Sequence, residues 1–352
     1  MRKRHLHIIS QPIGSIGEIT NDLVSGLKDK FHLTQERLGE IPKEFDILLS
    51  HFIHPSLSKD ENFMKFKHKV LIQPIDGTDM TKVIVKELNK YDLIITPAKA
   101  GLDIMKRNGV KTRIVIVPNY FKQEHLNLPE NVKIEGIPDD RIILYHESTF
   151  HSRKGIEILY ESYVKAFSDT PYANKVVLVL KDMPFNELTF NRIENLKEDT
   201  IKLQRRYVNP AEIIKISQYC NWETLQKLWS KANIYVSFAK IEGFGIPLLR
   251  MAALQKPIIS LNNPNSGYVD YLTLDNSYLI PVKQRKAEDE HMTIYKPTTL
   301  WGVPTITDTI KVLRKAVEDY ENGKEKLVSK QTLENMTFEN ILKKYASVLN
   351  SL

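Results

Sequence analysis

Cysteine is almost missing from this sequence. The single one, Cys220, excludes an internal disulfide and any cysteine-rich zinc site. Long apolar runs are missing too: no stretch approaches the ~20 residues that span a bilayer as a helix. The basic opening Met1-Arg-Lys-Arg-His is followed by an apolar run, Leu6–Ile9, that His7 interrupts and that is too short for a secretory signal. Internal repeats, low-complexity tracts and heptad arrays are absent as well. A fibrous, disulfide-stapled or membrane-spanning protein is thereby excluded. The expected location is cytoplasmic, compatible with peripheral contact at the cytoplasmic membrane face.

The chain has 352 residues, which favours two domains over one core. Hydrophobic residues make up 42% and charged ones 26%, the composition of a globular protein. Lys and Arg number 50 against 43 Asp and Glu, a formal charge of +7. That balance suits an anionic substrate, an acidic membrane or nucleic acid. Nucleic acid is the weakest of these, because the basic residues are dispersed without interleaved aromatics.

Short apolar runs alternate with amphipathic ones, the pattern of βαβ units. Strands are expected at Leu6–Ser10, Ile47–Ser50, Lys69–Gln73, Leu93–Thr96 and Ile114–Val117, with helices at Glu18–Phe31, Met80–Asn89 and Ala100–Asn108. A polar segment, Lys122–Asp140, interrupts the rhythm. Strands then resume at Arg141–Tyr145, Lys175–Leu180, Ile234–Phe238 and Pro257–Leu261, around helices at Gly155–Phe167, Trp222–Lys231 and Pro247–Leu254. Lys283–Glu290 reads as a charged surface loop, and Thr307–Leu352 as helix broken near Asn322-Gly323. The expected division is residues 1–125, a linker 126–140, residues 141–330, and a carboxyl-terminal helix 331–352 that crosses back to the first domain. Ligands of such α/β sheets sit beyond the carboxyl ends of the strands, which places the site between the domains.

The segment Ile234–Ala253 reads as strand, glycine-bearing loop and helix. Gly243 and Gly245 permit a tight turn and close approach of a ligand, and Pro247 suits the first helical turn. The loop then aims free backbone N–H groups and the positive end of the helix dipole at an anion. Glu242 at the lip can accept hydrogen bonds from hydroxyl groups. Arg153 and Lys154 sit at a second helix entrance and can neutralise a departing diphosphate. As surface features, a glycine turn and an Arg-Lys dipeptide are equally ordinary. Gln11–Glu18, with Gly14 and Gly17, forms half of a dinucleotide fingerprint and reads as a glycine loop at the cleft. His51, His54, Asp76 and Asp79 lie at expected strand ends, where they can bind an acceptor or handle protons or serve only as turn residues. His146 and His151 lack a third ligand at metal-binding spacing, so structural roles are expected.

Together these segments resemble GT-B glycosyltransferases of the large retaining family four (glycosyl transferases group 1). Glu242-Gly-Phe-Gly-Ile-Pro247 is similar to the donor motif, and Trp222–Phe238 to the helix and strand before it. Asn265–Leu272 resembles the segment after it, and Tyr91–Asn119 the run that leads to the linker. The resemblance implies an α/β fold of two Rossmann-like doubly wound domains facing a central cleft. It implies sugar transfer with retention from a nucleoside-diphosphate sugar to a glycan, lipid-linked or protein acceptor, with no metal or other cofactor. Glu242, Lys154 and Asp76 would be the catalytic residues. Gly14, Gly17, Arg153, Gly243, Phe244, Gly245, Ile246 and Arg250 would contact substrate.

Three positions depart from the family pattern. Arg250 stands where the family has a ribose-binding glutamate, eight positions after Glu242. Ser148 and Thr149 stand where it has an arginine, and Ile75, beside Asp76, where it has a histidine. Arginine cannot accept hydrogen bonds from ribose. The rival expectation is therefore a catalytically idle GT-B protein that acts as a binding partner or subunit of another transferase.

Overall fold

The computed structural model describes residues 3–9, 14–36, 46–53, 57–183, 187–288 and 295–352. Its first sheet contains β1 (His5–Ile9), β2 (His32–Glu36), β3 (Ile47–His51), β4 (His68–Ile72), β5 (Leu93–Thr96) and β6 (Arg113–Ile116), in the order β2-β1-β3-β4-β5-β6. Every neighbouring pair is parallel. Parallel strands covered on both faces read as continuous apolar runs, and the buried Ile47-Leu48-Leu49 and Val70-Leu71-Ile72 are such runs. One face packs on α1 (Gly14–Leu27) through Ile19, Leu23 and Leu27. The other packs on α2 (Lys82–Leu88) and α3 (Lys99–Arg107) through Ile84, Leu88, Ile104 and Met105.

The second sheet is formed by β7 (Ile142–Thr149), β8 (Val176–Met183), β9 (Glu212–Ile216), β10 (Ile234–Val236), β11 (Ile258–Asn262), β12 (Tyr278–Lys286) and β13 (Leu300–Pro304). The order is β13-β12-β11-β10-β7-β8-β9, parallel except for the antiparallel β12–β13 pair. On one face lie α4 (Ile156–Phe167), α5 (Glu187–Gln204) and α8 (Ile306–Glu321), and on the other α6 (Trp222–Lys231), α7 (Ile246–Ala253) and α9 (Lys330–Glu334). Side-chain caps fix several helix starts. Asn221 accepts from the Thr224 amide at 2.9 Å and Thr305 from the Asp308 amide at 3.1 Å.

The last helix, α10 (Phe338–Asn350), lies on the first sheet's side of the molecule and packs against α1. Ile341, Tyr345, Ala346 and Leu349 enter the same core as Leu6 and Leu23, and burying each of the larger side chains contributes roughly 1.5–3 kcal/mol. The chain crosses between the halves at two places that pair with each other. Phe121 N–H donates to Met336 O at 3.1 Å and Phe338 N–H to Phe121 O at 3.0 Å.

The segment Lys283–Lys286, expected as loop, is the end of β12. Its charged side chains occupy an exposed edge hairpin with β13, and edge strands commonly carry charge where one face meets water. The first helix begins at Gly14 rather than Glu18, so Gly14 and Gly17 are helical residues and not a cleft loop. The apolar face set by Ile19, Leu23 and Leu27 extends the helix down to them.

The halves approach each other closely at two glycines. A Cβ on Gly267 would overlap the Gly243 carbonyl oxygen and stand 2.7 Å from the Ala98 Cβ; one on Gly243 would stand 2.8 Å from the Pro74 Cβ. Ala98 and Pro74 belong to the first half, so neither position has room for a side chain. Overpacking of this kind costs about 1–3 kcal/mol. Gly267→Ala is therefore expected to lower unfolding stability by that amount in urea titration, and an unchanged midpoint would contradict the contact.

Candidate functional site

The central strand β10 delivers the loop that carries Glu242. Ile234, Tyr235 and Val236 are buried between β7 and β11, so the strand end is rigidly placed. Gly245 has φ +84° at the start of α7, a conformation that costs glycine little and other residues much. Leu249 N–H donates to Gly245 O at 3.0 Å and closes the first turn. Below the loop, the Tyr271 hydroxyl lies 3.1 Å from Phe244 O and 2.9 Å from Gly245 O. The buried Phe244 ring packs on Tyr271 at 5.3 Å. Beside it, Glu242 N–H donates to Ser266 Oγ at 3.1 Å and Gly267 N–H to Glu242 O at 2.8 Å. The loop is thus held by its carbonyls and flanks, while the first-turn amides of α7 point along the helix axis.

Glu242 faces two cations. Its Oε1 pairs with Lys154 Nζ and lies 3.0 Å from Arg153 Nη1. Burial opposes ionisation of this carboxyl, but Lys154 and Arg153 outweigh it and hold the pKa down at about 2. Arg153 also reaches Asp76 of the first half, Nη2 to Oδ2 at 3.4 Å. Asp76 is fixed in turn by Tyr295, whose hydroxyl accepts from the Asp76 amide at 2.8 Å and donates to Oδ1 at 2.9 Å. The sequence placed Glu242, Lys154, Arg153 and Asp76 in one cleft, and the structure brings them into one network. Tyr295 was missed, because a residue 219 positions from its partner leaves no local signal.

Arg250 lies on α7, one turn beyond Ile246. Its guanidinium sits over Trp229 at 4.8 Å and Trp222 at 5.3 Å and reaches Glu18 Oε1 of α1 at 3.3 Å. Arg250 is 8% exposed and its Nε has no hydrogen-bond partner. Burial, with Arg250 and Lys122 nearby, lowers the His125 pKa to about 3, so this imidazole beside Glu18 is neutral. Sequence reading did not identify Glu18 as the partner of Arg250. The seven-residue spacing of Trp222 and Trp229 on α6 was the available signal for an aromatic seat.

A cavity of about 700 Å³ runs between the halves and is lined by Glu242–Pro247, Arg250, Arg153, Lys154 and Glu147 on one side and by Glu18, His51, Phe52, Gln73, Asp76 and Asn119 on the other. Gly17 is not among the described residues that line it. Glu147 accepts from Trp229 Nε1 at 2.7 Å and from the Tyr145 hydroxyl at 2.8 Å. Asp79 bonds the strap that carries Tyr295: its amide donates to Thr299 Oγ1 at 3.0 Å. His146 is structural, with Nδ1 2.7 Å from Val236 O. His54 and Gln11–Ile13 lie outside the described residues. Among the described residues no group of three or more His, Cys, Asp and Glu is arranged to hold a metal ion, and no helix is long and apolar enough to cross a membrane.

Residues 128–293 match the family described as glycosyl transferases group 1. No curated protein matches the chain by sequence. Among solved structures, sucrose-phosphate synthase of Thermosynechococcus elongatus superposes with a TM-score of 0.72 at 14% identity over 99% of each chain. The trehalose-6-phosphate enzyme of E. coli, solved with UDP-2-fluoroglucose, gives 0.72 at 9% identity, also over 99% of each chain. The pneumococcal O-GlcNAc transferase GtfA, solved with UDP and GlcNAc, gives 0.56 at 13% identity over 86% of this chain and 56% of its own. At these identities the likeness establishes the GT-B fold: two Rossmann-like domains around a central cleft.

The depressed Glu242 pKa has a consequence for stability. Its contribution, about 3 kcal/mol for a fall from 4.5 to about 2, is complete above the unfolded-state value and is lost as pH drops towards 2. Glu242→Gln should therefore destabilise by about that amount at pH 7, with a smaller deficit at pH 3. Equal deficits at both pH values in urea unfolding would contradict the pairing.

Proposed function

Taking as premise a GT-B chain whose residues 128–293 match glycosyl transferases group 1, we propose that this protein transfers a sugar, with retention, from a nucleoside-diphosphate sugar to a hydroxyl acceptor. The observation that carries this reading is the cluster of Glu242, Lys154 and Arg153 beside the amino terminus of α7, open to the cleft.

Without donor, Glu242 pairs with both cations, and Asp76 supplies a second carboxylate to Arg153. With donor bound, the diphosphate takes up Lys154, Arg153 and the α7 amides, and Glu242 turns to the hydroxyls of the donor sugar. As the bond from the anomeric carbon to the phosphate oxygen breaks, negative charge grows on the diphosphate, and preoriented cations and amides stabilise it there. The acceptor oxygen forms the new bond to the anomeric carbon, and its proton passes to the departing phosphate oxygen. Asp76, held by Tyr295 and Arg153 on the facing wall, orients the acceptor hydroxyl. The chain's own cations carry the charge in this scheme, which needs no metal. Arg250 keeps the far end of α7 against α1 through Glu18.

A thermal-shift screen with UDP-glucose, UDP-galactose, UDP-N-acetylglucosamine, GDP-mannose and ADP-glucose tests the reading, since a ligand that binds only the native state raises its melting temperature. One of the five is expected to raise it, and no response to any would contradict the proposal. With that donor, Glu242→Ala and Lys154→Ala should each lower transfer by about 10²–10³-fold with unchanged circular dichroism. Wild-type turnover in either variant would remove that residue from the mechanism.

A further inference from the structure

The two walls of the cleft differ in charge. The cations that line it, Arg153, Lys154 and Arg250, all come from the second half, and each already faces a carboxylate. The first half contributes two carboxylates, Glu18 and Asp76, the amides Gln73 and Asn119, and no Lys or Arg among the described residues. His51 adds no charge near neutrality, because burial lowers its pKa to about 4.

On the same wall stands an aromatic ring in an unusual setting. Phe52 has φ +69°, a left-handed conformation that non-glycine residues rarely adopt and that tends to occur at functional positions. Neighbours enforce it: Phe52 N–H donates to Ile72 O at 2.9 Å, Ser50 Oγ to Phe52 O at 3.1 Å, and Ile53 N–H to Gln73 Oε1 at 2.9 Å. The half-buried ring lies against the His51 imidazole, with centroids 5.2 Å apart and planes 16° from parallel, and lines the cavity. The wall thus offers an apolar ring face to a cavity that Asp76 and Asn119 also line, while the Gln73 amide, bonded to Ile53 N–H and Pro74 O, holds the backbone behind it.

We propose that the acceptor entering this cleft is an uncharged saccharide whose C–H face lies on the Phe52 ring, and that a sugar carrying a phosphate is rejected. A pyranose presents an apolar face and a rim of hydroxyls, which matches a site built from an aromatic ring and a few convergent polar groups. A phosphate brought to this wall would leave water to meet Glu18 and Asp76, where the described residues of the first half supply no Lys or Arg to pair with it, and an unpaired charge is costly to bury. The cations across the cleft lie at the donor loop and on α7, where the diphosphate needs them. This inference rests on the proposed transfer reaction, which supplies the need for an acceptor.

The test has two arms. Calorimetry with UDP, GDP and ADP asks whether a nucleoside diphosphate binds; if none does, the transferase reading itself falls. With the one that binds present at saturation, saturation-transfer NMR compares methyl glucoside, methyl galactoside, methyl mannoside and N-acetylglucosamine with the corresponding 6-phosphates. At least one neutral sugar should bind ten-fold or more tightly than its phosphate. Phe52→Gly, which removes the ring and tolerates the left-handed backbone, should weaken that sugar at least ten-fold and leave nucleoside-diphosphate affinity within two-fold. A phosphate that binds as well as its parent sugar, no binding by any neutral sugar, or an unaffected Phe52→Gly variant would each overturn the acceptor assignment and leave the donor site standing.

Discussion

One partly buried carboxylate at the cleft, Glu242, links the groups at the centre of this molecule. Glu242 pairs with Lys154 and Arg153, and Arg153 carries the connection on to a second carboxylate, Asp76, across the cleft. Two cations this well desolvated would repel each other without it, and a charge left unpaired in such a place is strongly destabilising. The Glu242 loop, the α4 entrance and the first-half wall are therefore set relative to one another by one ionic network. Under the proposed function, an anionic ligand replaces Glu242 as the partner of its cations.

Close packing supports the same geometry. The donor loop can lie against the first half because Gly243 and Gly267 present backbone alone to Pro74 and Ala98. A strap from the second half reaches over to the loop after β4: Lys296 N–H donates to Asp79 O at 2.8 Å, and Leu300 N–H to Thr78 Oγ1 at 2.8 Å. Tyr295 of the same strap fixes Asp76. On the far side of the cleft, the Arg250–Glu18 pair and the docking of α10 on α1 make further bridges. Arg250 itself rests on an aromatic seat made by Trp222 and Trp229.

Much of this was legible in the sequence because buried parallel strands and glycine-bearing loops are local signals. The strand before Glu242, the proline opening α7 and the α6 span Trp222–Lys231 all stood in the residues themselves. Edge elements were harder. β2 and β9 carry polar residues among the apolar ones, and the Lys- and Arg-rich end of β12 reads as solvent-facing loop although it is paired with β13. Gly14 and Gly17 misled because glycines before an amphipathic pattern suggest a loop, and the helix simply starts earlier. Within the site, Glu242, Lys154, Arg153 and Asp76 could be named from local context. Tyr295, Glu18 and Phe52 could not, since their roles come from long-range contacts or from a backbone angle.

The Glu242-centred network has one direct test: calorimetric titration with whichever of UDP, GDP and ADP binds the wild-type protein, repeated on Glu242→Gln and Lys154→Ala. If Glu242 is the internal stand-in for the diphosphate, Glu242→Gln frees both cations and binds the nucleotide more tightly, by about ten-fold for 1.4 kcal/mol of released pairing. Lys154→Ala should bind it at least ten-fold more weakly. Unchanged affinity in both variants would mean that the nucleotide does not meet this network, and the donor site would have to lie elsewhere.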